Sequence, residues 1–183
     1  MRVFDCSYLI CVGIILLASC SDSIKIKHEL RKFERKAIVF PEKMKVFEEA
    51  GVQFLPIPKG QKYIIYVSPE ECSSCMIHRV GEYAPILALG DSLGFSTMII
   101  LSPLDSSLEQ VEWILGNRPF SFPIWLDFDH AFRERNKHIP KDRKFHYFLL
   151  DTEGMPIFVG DILEPAMAKL LLCVYEKHGS SYY

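Results

Sequence analysis

The sequence predicts an α/β fold: a central, mostly parallel sheet with helices on both faces, closed by a C-terminal β-hairpin and a last helix. Three observations carry this. Short β-branched and aromatic runs, Tyr63 to Val67 and Ser96 to Leu101, alternate with segments whose apolar residues recur at helical spacing. Phe145 to Leu150 runs through Asp151-Thr152-Glu153-Gly154 into Pro156 to Val159, the pattern of a hairpin. With 183 residues, 49 % of them apolar, the chain is long enough for one sizeable core. A net charge of -2, from 21 basic and 23 acidic residues, argues against a nucleic-acid partner.

The N-terminus is a separate matter. Tyr8 to Ala18 is an apolar run too short for an ordinary membrane span but of the length of a secretory h-region. It ends in Leu17-Ala18-Ser19-Cys20, which resembles the lipobox of bacterial lipoproteins. That resemblance implies removal of residues 1–19, lipid attachment at Cys20, and a protein held on a bacterial membrane, facing the periplasm or cell exterior. A plain secretory signal and an uncleaved anchor are the alternatives. Residues 20–60 then form a tether and N-terminal extension, and residues 61–183 the main domain. Cys6 and Cys11 leave with the signal, so the thiols of the mature chain are Cys72, Cys75 and Cys173, in a compartment that permits disulfides.

Along the mature chain, Ser21 to Lys36 is charged, with Ile24, Ile26, Leu30 and Phe33 spaced as an early helix. Pro41 to Pro58 reads as irregular or short-strand structure, and Pro58-Lys59-Gly60 as a turn into the strand at Tyr63. Ser73 to Leu89 reads as a helix, with Pro85 expected to bend it near Gly81. After the strand at Ser96, Ser106 to Leu115 is helical, Pro123 to Leu126 a third strand, and Asp129 to Lys137 a short helix capped by Asp127 or Asp129. Pro165 opens a last helix with the stripe Met167, Leu170, Leu171, Val174 and Tyr175. Cys173 in that run, like Trp113 and Trp125, is expected in packing, the cysteine as a buried inert thiol. His146 is expected to be an ordinary half-exposed strand residue. Asp127 and Asp151 are expected to make turns or helix caps.

The chemistry points to Cys72 and Cys75. Two thiols at i,i+3 on the first turn of a helix lie on one face, within reach of a disulfide. The helix start adds unpaired N–H groups and a positive dipole end that stabilise a thiolate at Cys72. A Cys-x-x-Cys at a strand-to-helix junction is what a thiol–disulfide exchange site needs.

With these residues the chain resembles the thioredoxin-like superfamily, and within it the membrane-tethered TlpA and ResA type of thiol–disulfide oxidoreductase, in the lipobox context of Bacteroidota-like redox lipoproteins. The likeness covers roughly Tyr63 to His178. It rests on the strand before Cys72-Ser73-Ser74-Cys75, on Phe122-Pro123-Ile124-Trp125-Leu126-Asp127, and on Phe148-Leu149-Leu150-Asp151 with Gly154 leading into Pro156-Ile157-Phe158-Val159. It implies that Cys72 attacks and Cys75 resolves, with substrate protein disulfides and a membrane or periplasmic reductant as partners, and no cofactor. Three departures stand out. The position of the family's cis-proline is Phe145 here, with Pro140 the nearest proline. Glu71, after Glu70, stands where a tryptophan commonly precedes the first cysteine. The intervening pair is Ser-Ser, without the common proline. Two carboxylates beside Cys72 are expected to raise its pKa and favour a reducing dithiol over a strong oxidant.

Competing chemistries are weaker in the sequence. Copper or zinc carriage by the cysteines with His78, His130, His138 or His146 lacks a second close ligand at fixed spacing. Met76 stands where c-type haem attachment needs histidine. A peroxidatic Pro-x-x-x-Thr-x-x-Cys frame is absent, since Pro69 is three residues before Cys72 with no threonine between. The remaining alternative is an accessory or binding lipoprotein with a diminished site.

Overall fold

The computed structural model describes residues 24–48, 51–71, 80–103, 108–117 and 122–179. Cys72, Cys75, His78 and Cys20 lie outside these residues. A helix at residues 24–33 (α1) is followed by strands β1 (Lys43–Glu48), β2 (Gly51–Pro56) and β3 (Lys62–Val67). A 3₁₀ turn at Val80–Tyr83 leads into α2 (Ala84–Leu93). Then come β4 (Ser96–Leu101), α3 (Leu108–Gly116), β5 (Ile124–Leu126), α4 (Ala131–Arg135), a 3₁₀ turn at Arg143–Phe145, β6 (Tyr147–Leu150), β7 (Pro156–Val159) and α5 (Pro165–Gly179).

The strands form one seven-stranded sheet in the order β2-β1-β5-β4-β3-β6-β7. β3, β4 and β5 run parallel, while β6 runs antiparallel to β3 and β7 to β6. β1 and β2, read from sequence as irregular or short-strand structure, form a hairpin whose first strand pairs antiparallel with β5. Every residue of β3 is buried because the sheet is covered on both faces, which is why the sequence there is apolar without alternation. Its side chains still sort by parity. Tyr63, Ile65 and Val67 pack with Ile86 of α2, Val111 and Leu115 of α3 and Leu171 of α5. Ile64 and Tyr66 pack on the opposite face with Phe33 of α1 and Phe132 of α4.

Two helical expectations change, while of the helix expected over Ser73 to Leu89 residues 73–79 lie outside the described residues: a 3₁₀ turn at Val80–Tyr83 precedes α2, and Pro85 lies in the first turn of α2, which has no use for the N–H that proline lacks. Trp113 is 72 % exposed: Val111 and Leu115, one turn apart, take the core side of α3 and turn it outward. Cys173 is exposed, and Leu170 is 49 % exposed. The buried stripe of α5 runs through Met167, Ala168, Leu171, Val174 and Tyr175, and Cys173, two residues from Leu171, falls on the other side. Trp125, by contrast, is a core residue of β5 as expected.

Candidate functional site

The register aligns Val67, Leu101 and Leu126 across the carboxyl ends of the three parallel strands. The ladder continues one residue further, with Ser102 N–H donating to the Val67 carbonyl (3.0 Å) and Asp127 N–H to the Leu101 carbonyl (2.8 Å). Ser68, Ser102 and Asp127 therefore stand at one edge of the sheet, where open α/β sheets gather functional groups. Because β6 is antiparallel to β3, its amino end reaches the same edge. Tyr66 N–H donates to the His146 carbonyl at 2.8 Å, so His146 lies beside the exit of β3.

The chain leaves β3 through a tight turn. Glu71 N–H donates to the Ser68 carbonyl (3.0 Å), and Ser68 N–H donates back to Glu71 Oε1 (3.2 Å). The same Oε1 lies 2.7 Å from His146 Nδ1, and Oε2 lies 3.1 Å from Arg143 Nε. His146 Nε2 donates to the Pro140 carbonyl at 2.9 Å. That carbonyl can only accept, so Nε2 carries a proton and Nδ1 is the ring nitrogen that faces Glu71. Burial acts to raise the Glu71 pKa, but the His146 and Ser68 hydrogen bonds and the charges of His146 and Arg143 outweigh it and hold the carboxyl below its usual range. His146, only 1 % exposed, is thus held between the Glu71 carboxyl group and the Pro140 carbonyl.

His146 is thus neither half-exposed nor a strand residue. It sits one residue before β6 on the inward side shared with Phe148 and Leu150, so it has to be hydrogen-bonded. That parity is the signal in the sequence that would have marked it, whereas nothing local marked Arg143. Phe145 is buried, with Lys144 Nζ 5.3 Å from its ring centroid. Pro140 is near the site through its carbonyl, and no peptide bond among the described residues is cis.

Both carboxylates ahead of Cys72 are paired, since Glu70 also meets Arg133 at 2.6 Å. The charge expected to oppose a Cys72 thiolate is therefore partly offset by the guanidinium groups of Arg133 and Arg143. A second polar group lies further along the edge. Asp127 caps α4 by accepting from Phe132 N–H (2.9 Å) and Arg133 N–H (3.1 Å), and Ser102 Oγ donates to it at 3.1 Å. Burial raises the Asp127 pKa against these donors. Burial also pushes the Tyr66 phenol up to about 12, against the Ser102 hydrogen bond. Asp151 makes the expected turn, accepting from Glu153 and Met155 N–H.

Beside this edge, Arg143, Phe145, Tyr147, Gly160, Asp161 and Met167 line a groove of about 490 Å³. Buried Tyr63 fixes one wall, its hydroxyl donating to the Gly160 carbonyl (2.6 Å) and accepting from Ile162 N–H (3.2 Å). Among the described residues no group of three His, Cys, Asp or Glu side chains is placed to hold a metal ion.

No protein-family model matches the chain, and no curated protein matches it. Solved structures do. A putative thiol:disulfide interchange protein, DsbE, from Chlorobium tepidum is 17% identical with a TM-score of 0.52, the match covering 76% of this chain and 97% of that one. The bacterioferritin comigratory protein of Xanthomonas campestris, described for its alkyl peroxide reduction activity, is 14% identical with a TM-score of 0.50, over 78% of this chain and 99% of that one. At such identities the likeness is one of fold, and with the strand order and helix layers above it gives this chain a thioredoxin-like α/β topology.

Proposed function

We propose that the protein is a lipid-anchored, extracytoplasmic thiol–disulfide oxidoreductase that acts as a dithiol reductase through Cys72 and Cys75. One observation carries the reading: in the sequence the Cys-x-x-Cys follows directly on the Ser68–Glu71 turn, which leaves the parallel strand β3 at the carboxyl edge of a thioredoxin-like sheet. In the reaction the Cys72 thiolate attacks one sulfur of a substrate disulfide, forming a mixed disulfide and releasing the other sulfur as a thiolate that takes up a proton. Cys75, deprotonated, then attacks the Cys72 sulfur and releases the second substrate thiol. The substrate gains two electrons and two protons, the protein is left with a Cys72–Cys75 disulfide, and an external dithiol restores it. Glu71 and His146 border this step, and the groove at Phe145, Tyr147 and Gly160 suits an extended substrate segment.

The test is the reduction potential of the chain from Ser21 onward, with alkylation of Cys72→Ser and Cys75→Ser variants. A reversible two-electron couple, with Cys72 the faster-reacting thiol, supports the exchange reading. A potential near that of the strongest periplasmic oxidants removes the reductase assignment. An inaccessible or unreactive pair favours the accessory-protein reading. Peroxide consumption without disulfide exchange would move the activity toward that of the peroxide-reducing structural neighbour.

A further inference from the structure

A second feature, separate from the thiols, lies where α1 crosses the segment between α4 and β6. The two walls enclose an open cleft of about 820 Å³. α1 and the turn after it contribute Lys25, Lys32 and Lys36, which with Glu29 recur along one side at helical spacing. The opposite wall contributes Lys137, Lys141 and Lys144, with Asp142. Six lysines thus face two carboxylates in a chain whose overall charge is -2. Lys137 pairs with Glu134 outside the cleft and Lys144 with Asp142, whereas Lys25, Lys32, Lys36 and Lys141 have no carboxylate at ion-pair distance among the described residues. His138 on the wall leaves Nε2 without a hydrogen-bond partner, and burial, with Lys36 nearby, holds its pKa below the ordinary value. The positive field of the cleft is therefore that of its lysines.

The rim is apolar where it meets the chain's N-terminal part. Ile24 is 66% exposed and Ile26, which lines the cleft, is 36% exposed. Exposed isoleucines interleaved with lysines on one short helix suit a bilayer interface, where the apolar side chains enter the headgroup boundary and the ammonium groups meet phosphates. A small soluble anion would use the lysines but gain nothing from the isoleucines. Lys25 is also five residues from Cys20, a span of at most roughly 18 Å when extended.

We propose that this cleft is a docking site for anionic phospholipid headgroups, which seats the protein on the membrane surface through α1 and residues 137–144. The occupant is the lipid phosphate of a bilayer rather than free phosphate or an acidic protein. The site goes beyond the exchange activity, but it bears on it. Lys144 lines both the cleft and the groove beside the thiol edge, and the Pro140 carbonyl on the cleft wall holds His146. A seated molecule would present its exchange site to substrates near the bilayer surface.

The experiment uses the chain from Ser21 onward, which carries no lipid and contains α1, all seven strands and both core clusters. Co-sedimentation is measured with phosphatidylcholine vesicles, alone and with roughly 30 mol % phosphatidylglycerol. Binding is expected only to the anionic vesicles, weakening as salt rises. Replacing Lys25, Lys32 and Lys141 together by Gln is expected to weaken it by at least about tenfold, from roughly fivefold per lysine near a charged surface. Lys169→Gln, on α5, should leave it unchanged, and Ile24→Ser should weaken it several-fold. Matching urea midpoints would show that the exposed lysine changes leave the fold intact. Equal binding to both vesicle types, or no loss in the triple variant, overturns the proposal. So does saturable binding of inorganic phosphate by a chain that ignores the vesicles. No thiol takes part, so Cys72→Ser should bind as the parent does, and failure of either reading leaves the other standing.

Discussion

His146 and Glu71, 75 residues apart, meet at 2.7 Å where the amino end of one strand passes the carboxyl end of its antiparallel neighbour. The residue that precedes Cys72 in the sequence is thereby tied to the segment that leads into β6. The contact is a short hydrogen bond to a carboxylate, so whatever acts on His146 is felt at the residue next to Cys72 in the sequence.

Replacing His146 by Ala leaves the half-buried Glu71 carboxylate with one fewer donor and the Pro140 carbonyl without its partner. A loss of about 2–3 kcal/mol in urea unfolding is expected. In the same variant the negative charge beside Cys72 is less compensated, so the midpoint pH of Cys72 alkylation should move up. Glu71→Gln should move it down. Equal midpoints in all three proteins would mean that the pair is structural and does not reach the thiol.

The pair also shapes stability on the acid side. The Glu71 pKa in the folded chain lies below its ordinary 4.5, so its contribution is complete above 4.5 and is lost as pH falls through the lowered value. Between about pH 5 and pH 3 the parent should lose more stability than Glu71→Gln. Parallel acid limbs for the two would contradict this assignment.

Asn136, 2% exposed, works as a clamp between α4 and the segment before β1. Its Oδ1 accepts from Val39 N–H at 2.8 Å, and its Nδ2 donates to the Val39 and Phe132 carbonyls at 2.8 Å each. Asn136→Ala strands these main-chain groups and should cost about 3 kcal/mol. Amide exchange at Val39 should accelerate well beyond the change at β3, and a uniform change across both would show only global destabilisation.

Gly90 offers a test in which helix propensity and packing disagree. An alanine in the body of a helix normally gains about 1 kcal/mol over glycine. A Cβ at Gly90, however, would meet the Phe95 carbonyl oxygen at 2.8 Å and Thr97 Oγ1 at 3.0 Å, and the Phe95 main chain is itself held by its N–H bond to the Gly90 carbonyl. Gly90→Ala should therefore destabilise by about 1–3 kcal/mol. A raised melting temperature would show that α2 moves away at little cost.

Cys173 is exposed on α5, so a thiol reagent should modify it in the native protein at the rate of an open thiol. Cys173→Ser should abolish that reaction with little change in unfolding free energy. Reaction only under unfolding conditions would restore the buried reading that the run Leu170 to Val174 suggested.

The sequence by itself determined most of the elements from β3 onward and their order, whereas the β1–β2 hairpin read only as irregular or short-strand structure. Strand runs such as Tyr63 to Val67, buried on both faces, had to be continuously apolar, and Asp151 to Gly154 and Pro165 carry turn and helix-start chemistry that acts within a few residues. The sequence also puts Cys72 directly after Glu71, the last described residue of the turn that leaves β3, while Cys72 and Cys75 themselves lie outside the described residues. Rotation about a helix axis was less legible: α3 and α5 carry more apolar residues than one face can bury, and only the sheet beneath them selected Val111 over Trp113 and Leu171 over Cys173. Pairing between distant segments was not legible at all. Glu71 read as an uncompensated charge and His146 as a strand-surface residue until the antiparallel register of β3 and β6 set them side by side. The six lysines of the cleft likewise came from two segments about a hundred residues apart in the chain, brought together by the packing of Phe33 on the face that also holds Phe132 and Phe148. Local backbone preference and hydrophobic period can be read from neighbours in sequence. Electrostatic pairs depend on spatial distance, which only the folded sheet supplies.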